Sequence, residues 1–178
     1  HPSYNPSTFS NDIALLMIPM TETFLASLSY VSVVKLPTLK DVENDFVGFE
    51  GTVSGFGITE NGTFSDRLKT INFLPIISVA ECKSFQGLEG YVTDSNICTS
   101  NKGRESVCQG DGGGPLVVTV SNARRVVGVV TFTVSNEFFI LEIVIQDLFP
   151  GKHLFVRISW ILYPRHQLSF MDFNHNWK

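Results

Sequence analysis

The chain has 178 residues, with 13 Lys+Arg against 17 Asp+Glu and a formal net charge of -4, a length that suits one domain or two small barrels sharing a core. At 43% hydrophobic, 17% charged and 12% aromatic, the composition argues against disorder, and no apolar run reaches the roughly 18 residues of a membrane span. Lys and Arg are scattered, with Arg124-Arg125 the one adjacent pair, so no basic stripe could track phosphates, and nucleic acid is a poor candidate partner.

In chain order, strand-length runs rich in Val, Ile, Phe and Thr, bounded by Gly, Pro, Asn or Ser, fall at Ile13 to Ile18, Val31 to Leu36, Phe46 to Val53 and Thr70 to Ile77. Ser78-Val79-Ala80-Glu81 then interrupts them. Its Ser and Glu at three-residue spacing can cap a helix reciprocally, which predicts a short helix over Val79 to Phe85. Further strand-like runs follow at Leu116 to Val120, Val126 to Val134 and Leu154 to Ile158, and a second helix near Ser159 would be stopped by Pro164. The pattern is all-β. Glu137 to Phe149 stands apart: it is almost continuously apolar, relieved only by Glu142, Gln146 and Asp147 after its first residue. It reads either as another buried strand or, if exposed, as an aggregation-prone stretch.

The sequence opens on His1 without a charged start, an apolar run and a small-residue cleavage site, so it reads as a processed or incomplete piece. Three cysteines and four histidines (His1, His153, His166, His175) lack the spacing of a four-ligand zinc site, and neither metal nor cofactor is expected. Cys82 and Cys98, if bridged, would close a loop worth roughly 3 kcal/mol, leaving Cys108 single. Asn61-Gly62-Thr63 is a glycosylation sequon in a polar turn, a pattern that fits secretion and also arises by chance.

Cys108-Gln109-Gly110-Asp111-Gly112-Gly113-Gly114-Pro115-Leu116 is the most informative stretch. Consecutive glycines let a backbone take φ > 0 and turn N–H groups inward, the means by which an oxyanion is held without side chains. Alone, such a turn is as readily a tight connection between two strands.

Neighbouring motifs shift the balance. Asn11-Asp12-Ile13-Ala14-Leu15-Leu16, Thr52-Val53-Ser54-Gly55-Phe56-Gly57, the Cys82 and Cys98 pair, Cys108 to Leu116 and Val127-Gly128-Val129-Val130 resemble, in order and spacing, the chymotrypsin and trypsin family of serine endopeptidases. The likeness covers residues 1–134, lapses over 137–149 and resumes weakly over 150–163. It implies an all-β, trypsin-like antiparallel barrel, with the second barrel largely complete and the first mostly missing, and the active site in a cleft between the two. It further implies a secreted, extracellular protein that meets protein or peptide substrates or protease inhibitors. By the same likeness Asp12 falls at the triad aspartate, Gly110 and Gly112 at the oxyanion donors, and Asp111 at the acid that pairs with a freed α-amino terminus after zymogen cleavage. Ser106 falls at the base of the specificity pocket, where an uncharged residue implies an apolar or aromatic preference, and Thr131, Phe132 and Thr133 fall along its wall. The likeness also implies that Cys82 pairs with Cys98 across the short helix and a strand over Tyr91 to Ile97, and that Cys108 loses its family partner and is left as a free thiol.

The departures bear on activity. Where the family reads Gly-Asp-Ser-Gly-Gly-Pro, this chain reads Gly110-Asp111-Gly112-Gly113-Gly114-Pro115, so Gly112 stands in the nucleophile's place. The family's histidine, in a Thr-Ala-Ala-His-Cys context, would precede His1, and none of the four histidines here has that context. Asp111 must then find another partner or stay solvated, and the oxyanion turn is expected to be unformed, as in a zymogen. Thr133 in place of a glycine would narrow the pocket entrance. Three readings follow: a protease-lineage piece that cannot catalyse, a non-catalytic homologue that binds or regulates, and a degenerate chain with no stable fold.

Overall fold

The computed structural model describes residues 1–14, 27–29, 34–43, 45–85, 88, 90–100, 106–134 and 138–143. Among them six strands close one antiparallel barrel. They are β1 (Glu50–Gly55), β2 (Lys69–Ile77), β3 (Asn96–Ser100), β4 (Pro115–Val120), β5 (Ala123–Val134) and β6 (Phe138–Ile143), in the spatial order β1-β2-β3-β6-β5-β4, with β4 returning to β1. Each strand is thus hydrogen-bonded on both sides, which removes the exposed edges an open sheet would present.

Local sequence explains the corners. Val120 pairs with Ala123 across Ser121 and Asn122, both left-handed at φ 49° and 61°, the two-residue hairpin connection whose twist matches the strands it joins. Between Gly51↔Leu74 and Val53↔Ile71 the β2 strand carries an extra residue; Phe73, at φ 60° and 75% exposed, sits in that bulge. A second irregularity, between Val130 and Phe132 of β5, falls at Thr131.

Alternation along the strands sorts side chains to two faces. Leu116 and Val118 of β4 point inward with Val53, Leu74, Ile76, Ile97, Val127 and Val130 to fill the barrel, capped by Phe46 and Val107. Val117 of β4 and Val126 and Val129 of β5 point outward, where Ile13, Val34 and Leu36 cover them. Residues 34–43 are fastened to that outer face by Val126 N–H donating to Lys35 O at 3.0 Å and Arg125 Nη1 donating to Leu36 O at 2.7 Å. Arg125 Nε also lies 3.3 Å from Asp41 Oδ2.

Two short helices whose ends both lie among the described residues flank the barrel. In α1 (Leu39–Val42), Thr38 Oγ1 accepts from Asp41 N–H at 3.3 Å while Asp41 Oδ2 accepts from Thr38 N–H at 2.7 Å, a reciprocal cap readable in Thr38-x-x-Asp41. α2 (Val79–Lys83) has the expected Ser78 cap, its Oγ accepting from Glu81 N–H at 3.0 Å, and stops two residues short of Phe85. The buried Cys82–Cys98 bridge joins α2 to β3 within a second cluster of Leu88, Val92, Ile77, Val79 and Phe85. No described helix is long and apolar enough to cross a membrane.

Several boundaries differ from expectation. The run from Phe46 becomes a strand only at Glu50, because Asp45, Phe46 and Gly48 are left-handed (φ 48°, 57° and 82°) and shape a turn that tucks Phe46 into the core. β3 begins at Asn96, not Tyr91, since Asn96 Oδ1 accepts from Thr93 N–H at 2.8 Å and holds the preceding residues in a turn. At Val34 to Leu36 there is only an isolated parallel bridge between Lys35 and Arg125, and Ile13 and Ala14 are not in a strand. Residues 15–18, 31–33 and 144–149, the run at Leu154 to Ile158, the helix at Ser159 and all of 150–163 lie outside the described residues. Of the apolar segment at Glu137 to Phe149, Phe138–Ile143 takes the strand alternative and closes the barrel between β3 and β5.

Candidate active site

Pairing of β1 with β4, Val53 opposite Leu116, sets the residues that follow β1 beside those that precede β4. Ile58 N–H donates to Gln109 O at 2.9 Å and fixes the two segments together. Asp111 lies in this seam. Its Oδ1 accepts from Gly57 N–H at 2.8 Å and its Oδ2 from Cys108 N–H at 2.8 Å. The carboxylate fits because Gly55 and Gly57 have no side chain: a Cβ on Gly57 would stand 2.5 Å from Oδ2, and one on Gly55 would overlap Oδ1. Neither glycine is left-handed, so contact and not conformation demands it.

The turn itself is pinned from both ends. Asp111 N–H donates to Cys108 O at 3.0 Å and Gly114 N–H to Asp111 O at 2.9 Å, while Gly113 N–H donates to Val130 O at 2.8 Å and Val130 N–H to Gly114 O at 2.9 Å. Gly110 and Gly113 take φ +95° and +82°, values only glycine adopts freely. The Phe64 ring lies over Gly110, where a Cβ would meet Phe64 Cε1 at 2.6 Å. Ile58↔Phe64 pairing and Ser65 N–H donating to Gly57 O at 3.1 Å bring that ring back to the seam.

Backbone donors of the turn remain unused: the N–H groups of Gln109, Gly110 and Gly112 have no acceptor among the described residues. Gly112 is exposed, is not left-handed, and would carry a Cβ into open space. Gly110 and Gly112 are exposed, so each N–H can donate to an acceptor brought to the turn. The turn offers no nucleophilic atom at Gly112.

The sequence-predicted residues are not all drawn together. Gly110, Asp111 and Gly112 form the turn, Cys108 supplies one of the carboxylate's donors, and Thr131 directly follows the Val130 that pairs with Gly113 and Gly114. Ser106 is half-buried, one residue before the core residue Val107, and the side chains of Phe132 and Thr133 lie outside the described residues. Asp12 is half-buried and makes no hydrogen bond with a described residue; burial pushes its carboxyl above the usual range, with the α-amino group at His1 pulling the other way. Cys82 and Cys98 are bridged, with Cα atoms 6.2 Å apart. Cys108 is unbridged and exposed. No group of three or more His, Cys, Asp or Glu able to hold a metal occurs among the described residues.

In the sequence Gly55 and Gly57 stand out only as part of a motif, and nothing marks Phe64 as a neighbour of the turn. The missed signal was physical: an aspartate inside a glycine turn needs a close backbone partner, and glycines ending a strand are where backbone approaches.

A sequence model of the Trypsin family matches residues 1–138. Among curated relatives, "Serine protease 1" of Drosophila melanogaster is 35% identical over 133 residues, covering 74% of this chain and 46% of the relative. "Brachyurin" of Leptuca pugilator is 37% identical over 118 residues, covering 65% and 47%, and "Trypsin 5G1" of Aedes aegypti is 38% identical over 136 residues, covering 74% and 47%. The chain therefore spans just under half the length of the curated relatives it matches. With a closed antiparallel barrel, a pinned glycine turn and this extent of match, the chain belongs to the trypsin family of serine proteases.

Proposed function

We propose that this chain is a serine-endopeptidase homologue that does not itself catalyse by the triad mechanism. The observation that carries the reading is Gly112: by resemblance it stands at the nucleophile, and its surroundings leave open space where a serine side chain would reach. Acyl transfer needs an oxygen or sulfur with a lone pair to attack the carbonyl, and a hydrogen supplies none. Loss of the nucleophile from a triad costs on the order of 10⁶-fold in turnover.

What remains suits binding. The unused N–H groups of Gly110 and Gly112 favour a carbonyl or carboxylate oxygen, and the uncharged Ser106 favours an apolar or aromatic side chain in the adjoining pocket, with Thr131, Phe132 and Thr133 as its wall. A protein or peptide strand, or a protease inhibitor, offers both groups. Asp12 is carried over as the triad aspartate and has no hydrogen-bond partner among the described residues. The closed barrel favours a folded, non-catalytic homologue over a chain with no stable fold, and the family resemblance supports a secreted, extracellular setting.

The test is turnover of an aromatic ester by chain 1–178, with a serine-directed fluorophosphonate as control. The expected rate equals background. Hydrolysis that the fluorophosphonate abolishes overturns the reading. Secretion is tested separately, by immunodetection of the native protein in medium conditioned by its own cells.

A further inference from the structure

We propose that Asn61 is an N-glycosylated residue, and that the fold presents it for that purpose at the tip of the hairpin beside the glycine turn. The proposal rests on the extracellular setting proposed above, and on three observations.

The first is the acceptor sequence itself. Asn61-Gly62-Thr63 has the hydroxyl residue two places on and no proline at the middle position or directly after it, where Phe64 follows. The second is placement. Ile58 pairs with Phe64, Thr59 N–H donates to Thr63 O at 2.9 Å, and Gly62 N–H donates to Thr59 O at 2.8 Å. Glu60, Asn61 and Gly62 therefore form a three-residue hairpin loop whose last residue is left-handed at φ +74°. Asn61, Gly62, Thr63 and Phe64 are all exposed, so a bulky oligosaccharide on the loop tip displaces nothing from the core. The third is availability. Neither the Asn61 amide nor the Thr63 hydroxyl is engaged in a hydrogen bond among the described residues; the loop is held entirely by backbone groups and by Thr59 Oγ1, which donates to Thr63 O at 3.2 Å. Modifying Asn61 Nδ2 breaks no hydrogen bond among the described residues.

The chemistry is a group transfer from a lipid-pyrophosphate-linked oligosaccharide. A bond forms between Asn61 Nδ2 and C1 of the terminal N-acetylglucosamine; the C1–O bond to the pyrophosphate breaks, the electron pair leaves with the lipid pyrophosphate, and the amide nitrogen gives up one proton. The glycan then stands over one flank of the turn, since Phe64, three residues on, covers Gly110. It would restrict which macromolecules reach that flank.

To test this, chain 1–178 fused to a cleavable secretory leader is expressed in eukaryotic cells, and both the medium and the lumenal pool are treated with peptide N-glycosidase. Both pools should drop by the mass of one core oligosaccharide, with Asn61 converted to Asp in the released peptide. Asn61→Gln and, independently, Thr63→Ala should abolish the shift. Recovery of unmodified Asn61 from both pools overturns the proposal. Because the leader delivers the chain to the lumen regardless of its native destination, that failure is distinct from a failure of the extracellular reading.

Discussion

Replacing Gly57 with alanine tests whether Asp111 is what the glycine accommodates. Gly57 is not left-handed, so alanine's backbone preferences are met, and the perturbation is the methyl group alone. That methyl would stand 2.5 Å from Asp111 Oδ2 and 2.7 Å from Oδ1, within contact limits, so the carboxylate must move out of its seat. Moving it forfeits acceptance from Gly57 N–H and Cys108 N–H, both 2.8 Å. Two hydrogen bonds to a charged acceptor are worth about 1.5–3 kcal/mol each, and the half-buried position lets water recover much of one, so the net loss should be about 2–3 kcal/mol. Asp111→Ala removes the same bonds and should cost a similar amount. The decisive quantity is the double mutant. With no carboxylate to displace, Gly57→Ala in the Asp111→Ala background should cost only a few tenths of a kcal/mol, giving a coupling of about 2 kcal/mol. Urea melts of the four proteins would report this as shifts in midpoint at constant slope. Additive single-mutant costs would refute the argument that Gly57 is glycine because of Asp111.

Four further outcomes follow from the same structure. Gly112→Ser should fold with unchanged or slightly raised stability, because its Cβ meets open space, yet should gain no esterase activity, since a serine without a base is a poor nucleophile; fluorophosphonate labelling of the variant would show a histidine of this chain acting as base. Alkylation of the denatured, unreduced monomer should label Cys108 alone, and reduction of the buried Cys82–Cys98 bridge should lower stability by roughly 3 kcal/mol in denaturant melts. Thr99→Val should stabilise the barrel by about 1 kcal/mol, because Thr99 Oγ1 is buried without a partner among the described residues; a melt showing destabilisation would mean that the hydroxyl is satisfied. Hydrogen bonds from Thr38 Oγ1 and Thr38 N–H, with the nearby Arg125 guanidinium, hold the Asp41 carboxyl below the usual aspartate range. Its contribution should be present above about pH 4 and fade as pH falls through the lowered folded value, so the stability gap between wild type and Asp41→Asn should close on acidification.

The barrel strands were legible where β-branched alternation ran between turn residues, as at Thr70 to Ile77 and Leu116 to Val120. The run at Phe46 was misjudged because left-handed backbone at Asp45 and Phe46 comes from tertiary contacts that periodicity does not encode. The Asn96 side chain delayed β3 for a related reason: a local side-chain bond outcompeted the ladder over Thr93 to Ser95. α1 carries its cap pattern in Thr38-x-x-Asp41, too short a run for periodicity to mark. At the site, the glycine turn announced itself through composition. Its partner did not, because Gly57 and Asp111 are distant in sequence and meet only when β1 pairs with β4.

Barrel closure and the state of the turn are connected through β5. The Trypsin family match ends at residue 138, the first residue of β6, so the strand that completes the barrel lies almost wholly beyond the matched region. β6 pairs along β5 from Gly128 to Val134. Val130, inside that span, exchanges hydrogen bonds with Gly113 and Gly114, and its side chain is buried in the core with Leu116 at the head of β4. A β5 without β6 would be an edge strand with one ladder unpaired, free to fray from the end that carries Val130. The turn would then keep its tie to Asp111 and lose its tie to the sheet. The geometry of Gly110 to Gly114 thus depends on two anchors: a carboxylate seated between glycines, and a strand paired from Gly128 to Val134 with an apolar segment that lies almost wholly beyond the family match.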